Sequence, residues 1–186
     1  MSWKNDQVTE KETARILELA RECLGVLGDF VEMGCYKGDT SLMLAEILRE
    51  EVDKKLWIYD SFEGLPEKKE VDKSVMGVLF RGGELAVTKR EVKQRFLRAN
   101  LPVPVIKKAW FSELVENDLP EQIAFAFLDG DFYESIKDSI KLVAPKMSDG
   151  GVMVVHDYTN PALPGVKRAV DEWMQGKGHQ FEVVLL

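Results

Sequence analysis

The densest chemistry in the chain lies in two short stretches rich in carboxylates. Asp129-Gly130-Asp131-Phe132-Tyr133 follows the apolar run Ile123 to Leu128, and His156-Asp157-Tyr158 follows the apolar run Gly151 to Val155. Read as neighbouring parallel strands, roughly 4.8 Å apart, the two runs bring Asp129, His156 and Asp157 within reach of one ion. Carboxylates placed so closely repel one another, and a divalent cation offsets that repulsion. The competing reading makes these acids caps of loops and helices, with Asp131 as the N-cap of the helix that opens near Tyr133.

An earlier pair of acids brackets a different ligand. Phe30-Val31-Glu32-Met33 reads as a short strand, and Gly34-Cys35-Tyr36-Lys37-Gly38 after it lets backbone approach a ligand before the next helix starts. This G-x-x-x-G spacing lacks the middle glycine of a dinucleotide fingerprint, and no Walker lysine and serine accompany it. A second strand over Lys55 to Asp60 ends in an acid placed to accept hydrogen bonds from ribose hydroxyls, unless Asp60 merely opens a loop. Two carboxylates without a phosphate cradle suit a cationic nucleoside such as S-adenosylmethionine better than an anionic dinucleotide. Tyr133 and Lys137 have the Tyr-x-x-x-Lys spacing of a nicotinamide-dependent oxidoreductase, but no pyrophosphate loop goes with them. Trp110-Phe111 is either a platform for adenine or core. Cys35 reads as a small buried hydrophobe and His179 as a histidine of a surface turn.

The elements that must position these residues follow from periodicity. Ile16, Leu17, Ala20, Cys23, Leu24 and Leu27 line one stripe of a leading helix within residues 1–27. Asp39-Thr40-Ser41 offers capping side chains for a helix through Leu48, and helical patterns recur at Lys89 to Ala99, Tyr133 to Met147 and Val166 to Met174. Further strands are expected at Val103 to Ile106 and Phe181 to Leu186, besides the two apolar runs already described. Most of the strands are continuous apolar runs, as in parallel sheets covered by helices on both faces. Strand and helix alternate throughout, so the fold class is α/β, a doubly wound and mostly parallel sheet. Residues 63–88 resist this description: two glycine turns, the cluster Glu67-Lys68-Lys69-Glu70 and scattered apolar residues mark either a solvated excursion or a lid over the ligand.

Composition sets the outer limits. The 186 residues are 45% hydrophobic and 31% charged, the profile of one soluble globular domain rather than a disordered chain. Acids outnumber bases 32 to 25, for a net charge of −7 and a pI near 5.0, so no global basic field attracts nucleic acid or an anionic membrane. Two cysteines without a CxxC or Cys/His pattern, a polar N-terminus and no apolar run approaching roughly 18 residues point to a cytoplasmic protein. The leading helix is a candidate homodimer contact.

Taken together, Leu128-Asp129-Gly130-Asp131-Phe132-Tyr133-Glu134-Ser135, Tyr59-Asp60-Ser61-Phe62-Glu63-Gly64-Leu65-Pro66, Gly150-Gly151-Val152 through His156-Asp157-Tyr158, and Pro164-Gly165-Val166-Lys167-Arg168-Ala169-Val170 resemble the macrocin O-methyltransferase family. The resemblance covers the chain from about Gly28 onward. It implies a Rossmann-like class I methyltransferase fold and metal-dependent transfer of a methyl group from S-adenosyl-L-methionine to a hydroxyl of a sugar or similar small molecule. Glu32, Gly34, Gly38, Asp60, Ser61 and Asp129 would then bind the cofactor, and Asp131 would be the general base. Asp129, His156 and Asp157 would hold Mg²⁺ or Mn²⁺, with His156 where family members generally carry another aspartate; imidazole in that place favours a borderline metal over Mg²⁺. The chain ends at the sixth strand, so the seventh, antiparallel strand usual in such sheets is expected to be missing. A non-catalytic S-adenosylmethionine-binding protein is the alternative that the histidine raises.

Overall fold

The computed structural model describes residues 6–76, 80–175 and 178–186. Residues 1–5 of the leading segment, 77–79 of the 63–88 segment and 176–177 of the turn before the last strand lie outside the described residues. Helix α1 (Glu10–Glu22) starts at a reciprocal cap. The Glu12 backbone N–H donates to Thr9 Oγ1 at 3.2 Å, while the Thr9 N–H donates to Glu12 Oε2 at 3.1 Å. This satisfies two amides that the first turn would leave open.

Six strands follow: β1 (Asp29–Met33), β2 (Leu56–Asp60), β3 (Val105–Lys108), β4 (Ile123–Leu128), β5 (Met147–Val155) and β6 (Glu182–Leu185). They form one sheet in the order β3-β2-β1-β4-β5-β6, every pair parallel. Because side chains alternate along a strand, each strand feeds two cores. Phe30, Ile58, Phe125, Phe127 and Val154 point to the face packed by α1, α2 (Asp39–Ile47) and α3 (Lys89–Arg98). Val31, Met33, Tyr59, Leu128 and Val155 point to the face packed by α4 (Tyr133–Val143) and α5 (Pro164–Met174). All six residues of β4 are buried, which is why it reads as an unbroken apolar run. The strand order reverses between β1 and β4, so the crevice of an open α/β sheet lies beyond their carboxyl ends.

Several boundaries depart from the sequence expectation, each for a local reason. The helix expected to reach Met147 ends at Val143, and Ala144–Lys146 turns as a 3-10 helix around Pro145, which has no N–H to continue the ladder. Strand β3 starts at Val105 rather than Val103, after Pro104, and its two lysines pair with Tyr59 and Asp60. Strand β5 starts at Met147 rather than Gly151, reaching its apolar half through a register shift and Gly150 at φ 74°. The cap of α2 is Gly38 in the left-handed region, not Asp39-Thr40-Ser41, whose side chains face inward. Helix α4 is capped at Phe132, so Asp131 is not its N-cap. Its first N–H, on Tyr133, donates at 2.7 Å to Asp72 of the 63–88 segment.

That segment is pinned at its neck. Leu65 N–H donates to Glu84 O and Gly83 N–H to Leu65 O, both at 2.8 Å, and a Cβ on Gly64 would lie 2.3 Å from Glu84 O. Among the described residues six strands form the sheet, and no helix is long and apolar enough to cross a membrane.

Candidate active site

The turns that leave β1, β2, β4 and β5 each contain one non-glycine residue in the left-handed region: Tyr36 (φ 46°), Phe62 (φ 54°), Asp131 (φ 59°) and Asp157 (φ 60°). Such backbone persists only where its surroundings over-determine it, and here it re-aims side chains into one crevice. Glu32, Gly34, Asp60, Ser61, Asp129, Asp131, His156 and Asp157 all line a single cavity there. Gly38 does not line it; it turns the chain into α2 behind the wall.

The loop after β1 is fixed from both sides. Asp60 Oδ2 accepts the Cys35 N–H at 2.8 Å and the Tyr36 N–H at 3.2 Å, and Oδ1 accepts the Phe62 N–H at 2.7 Å. The carboxylate at the end of β2 thus ties two turns together. Arg95 of α3 donates to Lys37 O and to Asp39 Oδ1, both at 2.6 Å, holding the loop from the other face. Gly34 stands where β1 passes β4 so closely that a Cβ would lie 2.1 Å from Asp129 O, at φ 91°. Glu32 is 1% exposed and its carboxyl is held by the Ser41 hydroxyl. Burial pushes its pKa up to about 8, against the lowering effect of Ser41 and with help from the charges of Asp129, Asp60 and Asp39.

At the ends of β4 and β5 the acids meet the histidine. His156 Nδ1 lies 3.0 Å from Asp129 Oδ1 and 3.0 Å from Asp157 Oδ2, while Nε2 faces Glu12 Oε2 of α1 at 3.8 Å. Burial disfavours the imidazolium, yet the two aspartates outweigh it and push the pKa up to about 11. Burial also acts on Asp157, but the His156 charge and the Asn160 amide, at 2.7 Å, hold it below its ordinary value. Asp131, half-buried beside them, is driven the other way: removal from water, then the charges of Asp129 and Asp157, raise its pKa well above the carboxylate range. Paired environments that push neighbouring acids apart in this way mark acid–base sites.

The donor set fits a divalent ion. One atom each from Asp129, His156 and Asp157 lies within 4.8 Å of the others. Two carboxylates and an imidazole are the oxygen and nitrogen donors that a borderline divalent ion accepts.

Other expectations sort cleanly. Trp110 and Phe111 line the cavity, as does Cys35. Gly64, Leu65, Pro66, Phe80 and Leu85 of the 63–88 segment form part of its wall. Tyr133 points away from it, donating its hydroxyl to Glu172 at 2.6 Å with Lys137 at 3.4 Å, so the Tyr-x-x-x-Lys spacing serves the α4–α5 surface. His179 is not a free turn histidine: it stacks on Trp173 at 4.3 Å between ring centroids. Gln7, Val8 and Asn160, together with Glu12 behind His156, were not singled out from the sequence. Only the Thr9-x-x-Glu12 capping box signals where α1 begins.

A model of the family described as Macrocin-O-methyltransferase (TylF) matches residues 13–183. The chain is 32% identical over 157 residues to a tetracenomycin-series 4'-O-methyltransferase of Streptomyces olivaceus, covering 80% of this chain and 59% of that protein. It is 32% identical over 170 residues to demethyldecarbamoylnovobiocin O-methyltransferase of Streptomyces niveus, covering 84% and 64%. Among solved structures, the O-methyltransferase NovP superposes with a TM-score of 0.79 at 31% identity, over 88% of this chain and 70% of that one. The chain therefore spans about three fifths of the length of the curated relatives it matches.

Proposed function

Because the chain belongs to the macrocin O-methyltransferase family, we propose that it moves a methyl group from S-adenosyl-L-methionine to a hydroxyl of a glycosylated small molecule. The observation that carries this reading is the convergence, in one cavity of the matched region, of Glu32, Asp60 and Ser61 with Asp129, Asp131, His156 and Asp157. Glu32 and the Gly34–Gly38 loop receive the cationic methionine end of the cofactor, with Gly38 setting the loop's exit. Asp60 and Ser61 face the ribose, and Asp129 closes the floor between the cofactor and the acceptor.

The cofactor supplies an already electrophilic sulfonium methyl, so the protein's work is to align an oxygen on the S–CH₃ axis and remove its proton. Alignment of this kind can contribute roughly 7 to 11 kcal/mol. As the O–C bond forms and the S–C bond breaks, the hydroxyl proton passes to the ionised form of Asp131, which burial beside Asp129 and Asp157 makes a stronger base than an exposed carboxylate. Asp129, His156 and Asp157 would hold a divalent ion, Mg²⁺ or Mn²⁺, which as a Lewis acid makes a nearby hydroxyl more acidic. With or without it, these three side chains set the charge that faces Asp131. The wall formed by the 63–88 segment limits which acceptors reach the site.

The test uses methyl-labelled S-adenosylmethionine and a panel of glycosylated acceptors, with and without Mg²⁺ and Mn²⁺. Label is expected on a sugar oxygen, and Asp131→Asn is expected to lose about 10²- to 10⁴-fold in kcat while S-adenosylhomocysteine still binds. Undiminished turnover by Asp131→Asn overturns the assignment of the base.

A further inference from the structure

We propose that Glu12, on the N-terminal helix, is a positioning residue of this site: its carboxylate sets the orientation of the His156 ring from the side opposite Asp129 and Asp157. The inference rests on the reading of Asp129, His156 and Asp157 as part of the reaction centre. An imidazole on a strand end has a broad, roughly two-fold second torsion, so packing alone does not decide which ring edge faces the acids. Phe127 packs beside the ring, tilted 55° with its centroid 5.9 Å away, and offers its nitrogens no polar partner. The edges are settled by carboxylates. Nδ1 has Asp129 and Asp157 at 3.0 Å, and Nε2 has Glu12 at 3.8 Å, an ion-pair distance longer than a direct hydrogen bond.

The Glu12 carboxylate is itself fixed. The same Oε2 accepts the Thr9 N–H at 3.1 Å and the Thr9 hydroxyl at 2.6 Å, so a backbone donor holds it in front of His156 even where the hydroxyl is removed. Val8, one residue before the cap, is 4% exposed and lines the cavity with Gln7, which seats the start of α1 on the site. One carboxylate thus closes a helix cap and faces the histidine. With Nε2–H turned toward Glu12, the other nitrogen is the one presented to the two aspartates. Carboxylate partners behind a ligating histidine act in this way, and losing them costs 10- to 100-fold in metal affinity or activity.

The chain has two histidines, His156 and His179, so long-range ¹H–¹⁵N spectra of the full chain resolve both, with His179→Gln giving the assignment. Glu12→Gln keeps a residue accepted at that position of a capping box but removes the charge. Thr9→Ala weakens the cap and keeps the carboxylate. The proposal expects Glu12→Gln to shift the His156 Nε2 resonance and its coupled protons, and to lower kcat about 10- to 100-fold with little change in KM for S-adenosylmethionine. Thr9→Ala is expected to lower the melting temperature while moving the His156 signals far less. Unchanged His156 signals in Glu12→Gln overturn the proposal. So does an equal shift in Thr9→Ala, because the cap and not the charge would then orient the ring. The spectra need no turnover, so a shifted His156 signal in a chain that transfers no methyl group counts against the methyltransferase reading and leaves the role of Glu12 standing.

Discussion

At the scale of single residues, the site is a set of carboxylates held in unequal surroundings. Glu32 gives the cleanest consequence. Its folded-state pKa of about 8 lies above the ordinary 4.5, so the folded protein keeps a proton that the unfolded chain gives up in between. The cost is absent below pH 4.5, grows as the pH rises toward 8 and is then complete. Glu32→Gln is therefore expected to gain on the wild type by an amount on the order of a few kcal/mol between pH 5 and pH 9, read as urea midpoints of the ligand-free protein. A constant difference across that range would contradict the raised proton affinity of the buried Glu32 carboxyl. The acids themselves were legible in the sequence because strand ends and carboxylates coincide there. Their partners were not: Glu12 lies 144 positions before His156 (156 − 12), and Arg95 reaches Asp39 from another helix. Nothing in local spacing announces such long-range pairs.

At the scale of elements, the hydrophobic pattern located the strands and α-helices of the described residues but not the 3-10 turns, while backbone chemistry decided their ends. Pro104 and Pro145 shifted two boundaries, and the left-handed Gly38 took the cap from Asp39. The same backbone chemistry makes Gly34 indispensable. With Asp129 O 2.1 Å from an added Cβ, Gly34→Ala must push β1 away from β4, and a loss of at least about 3 kcal/mol, or failure to fold, is expected from chemical denaturation. The 63–88 segment had no period to read, because backbone bonds at its neck, scattered apolar contacts of Leu65, Val71 and Leu85, and a buried carboxylate anchor it in place of a regular stripe. Asp72 is 2% exposed, and its Oδ1 takes the first N–H of α4. Asp72→Ala leaves that amide without a partner and is expected to cost about 1–3 kcal/mol and to raise KM for the acceptor. Asp72→Asn, which keeps an acceptor oxygen, should restore most of both. Equal losses in the two variants would show that the hydrogen bond is not the anchor.

At the scale of the whole molecule, alternating strands and helices predicted a doubly wound sheet, and the structure is one, with its switch point between β1 and β4. That topology explains why residues as far apart as Glu32, Asp60, Asp129 and Asp157 share one cavity: each sits at or just beyond the carboxyl end of a parallel strand. The acceptor was not legible, since the cavity is walled in part by the 63–88 segment and the residues before α1, which carry no readable periodicity. Cofactor choice is a property of the switch point itself, and calorimetric titration of the full chain with S-adenosylhomocysteine and, separately, with NAD tests it most directly. The account predicts one-to-one binding of S-adenosylhomocysteine, weakened by Asp60→Ala, and no heat from NAD; binding of NAD with none of S-adenosylhomocysteine would contradict it.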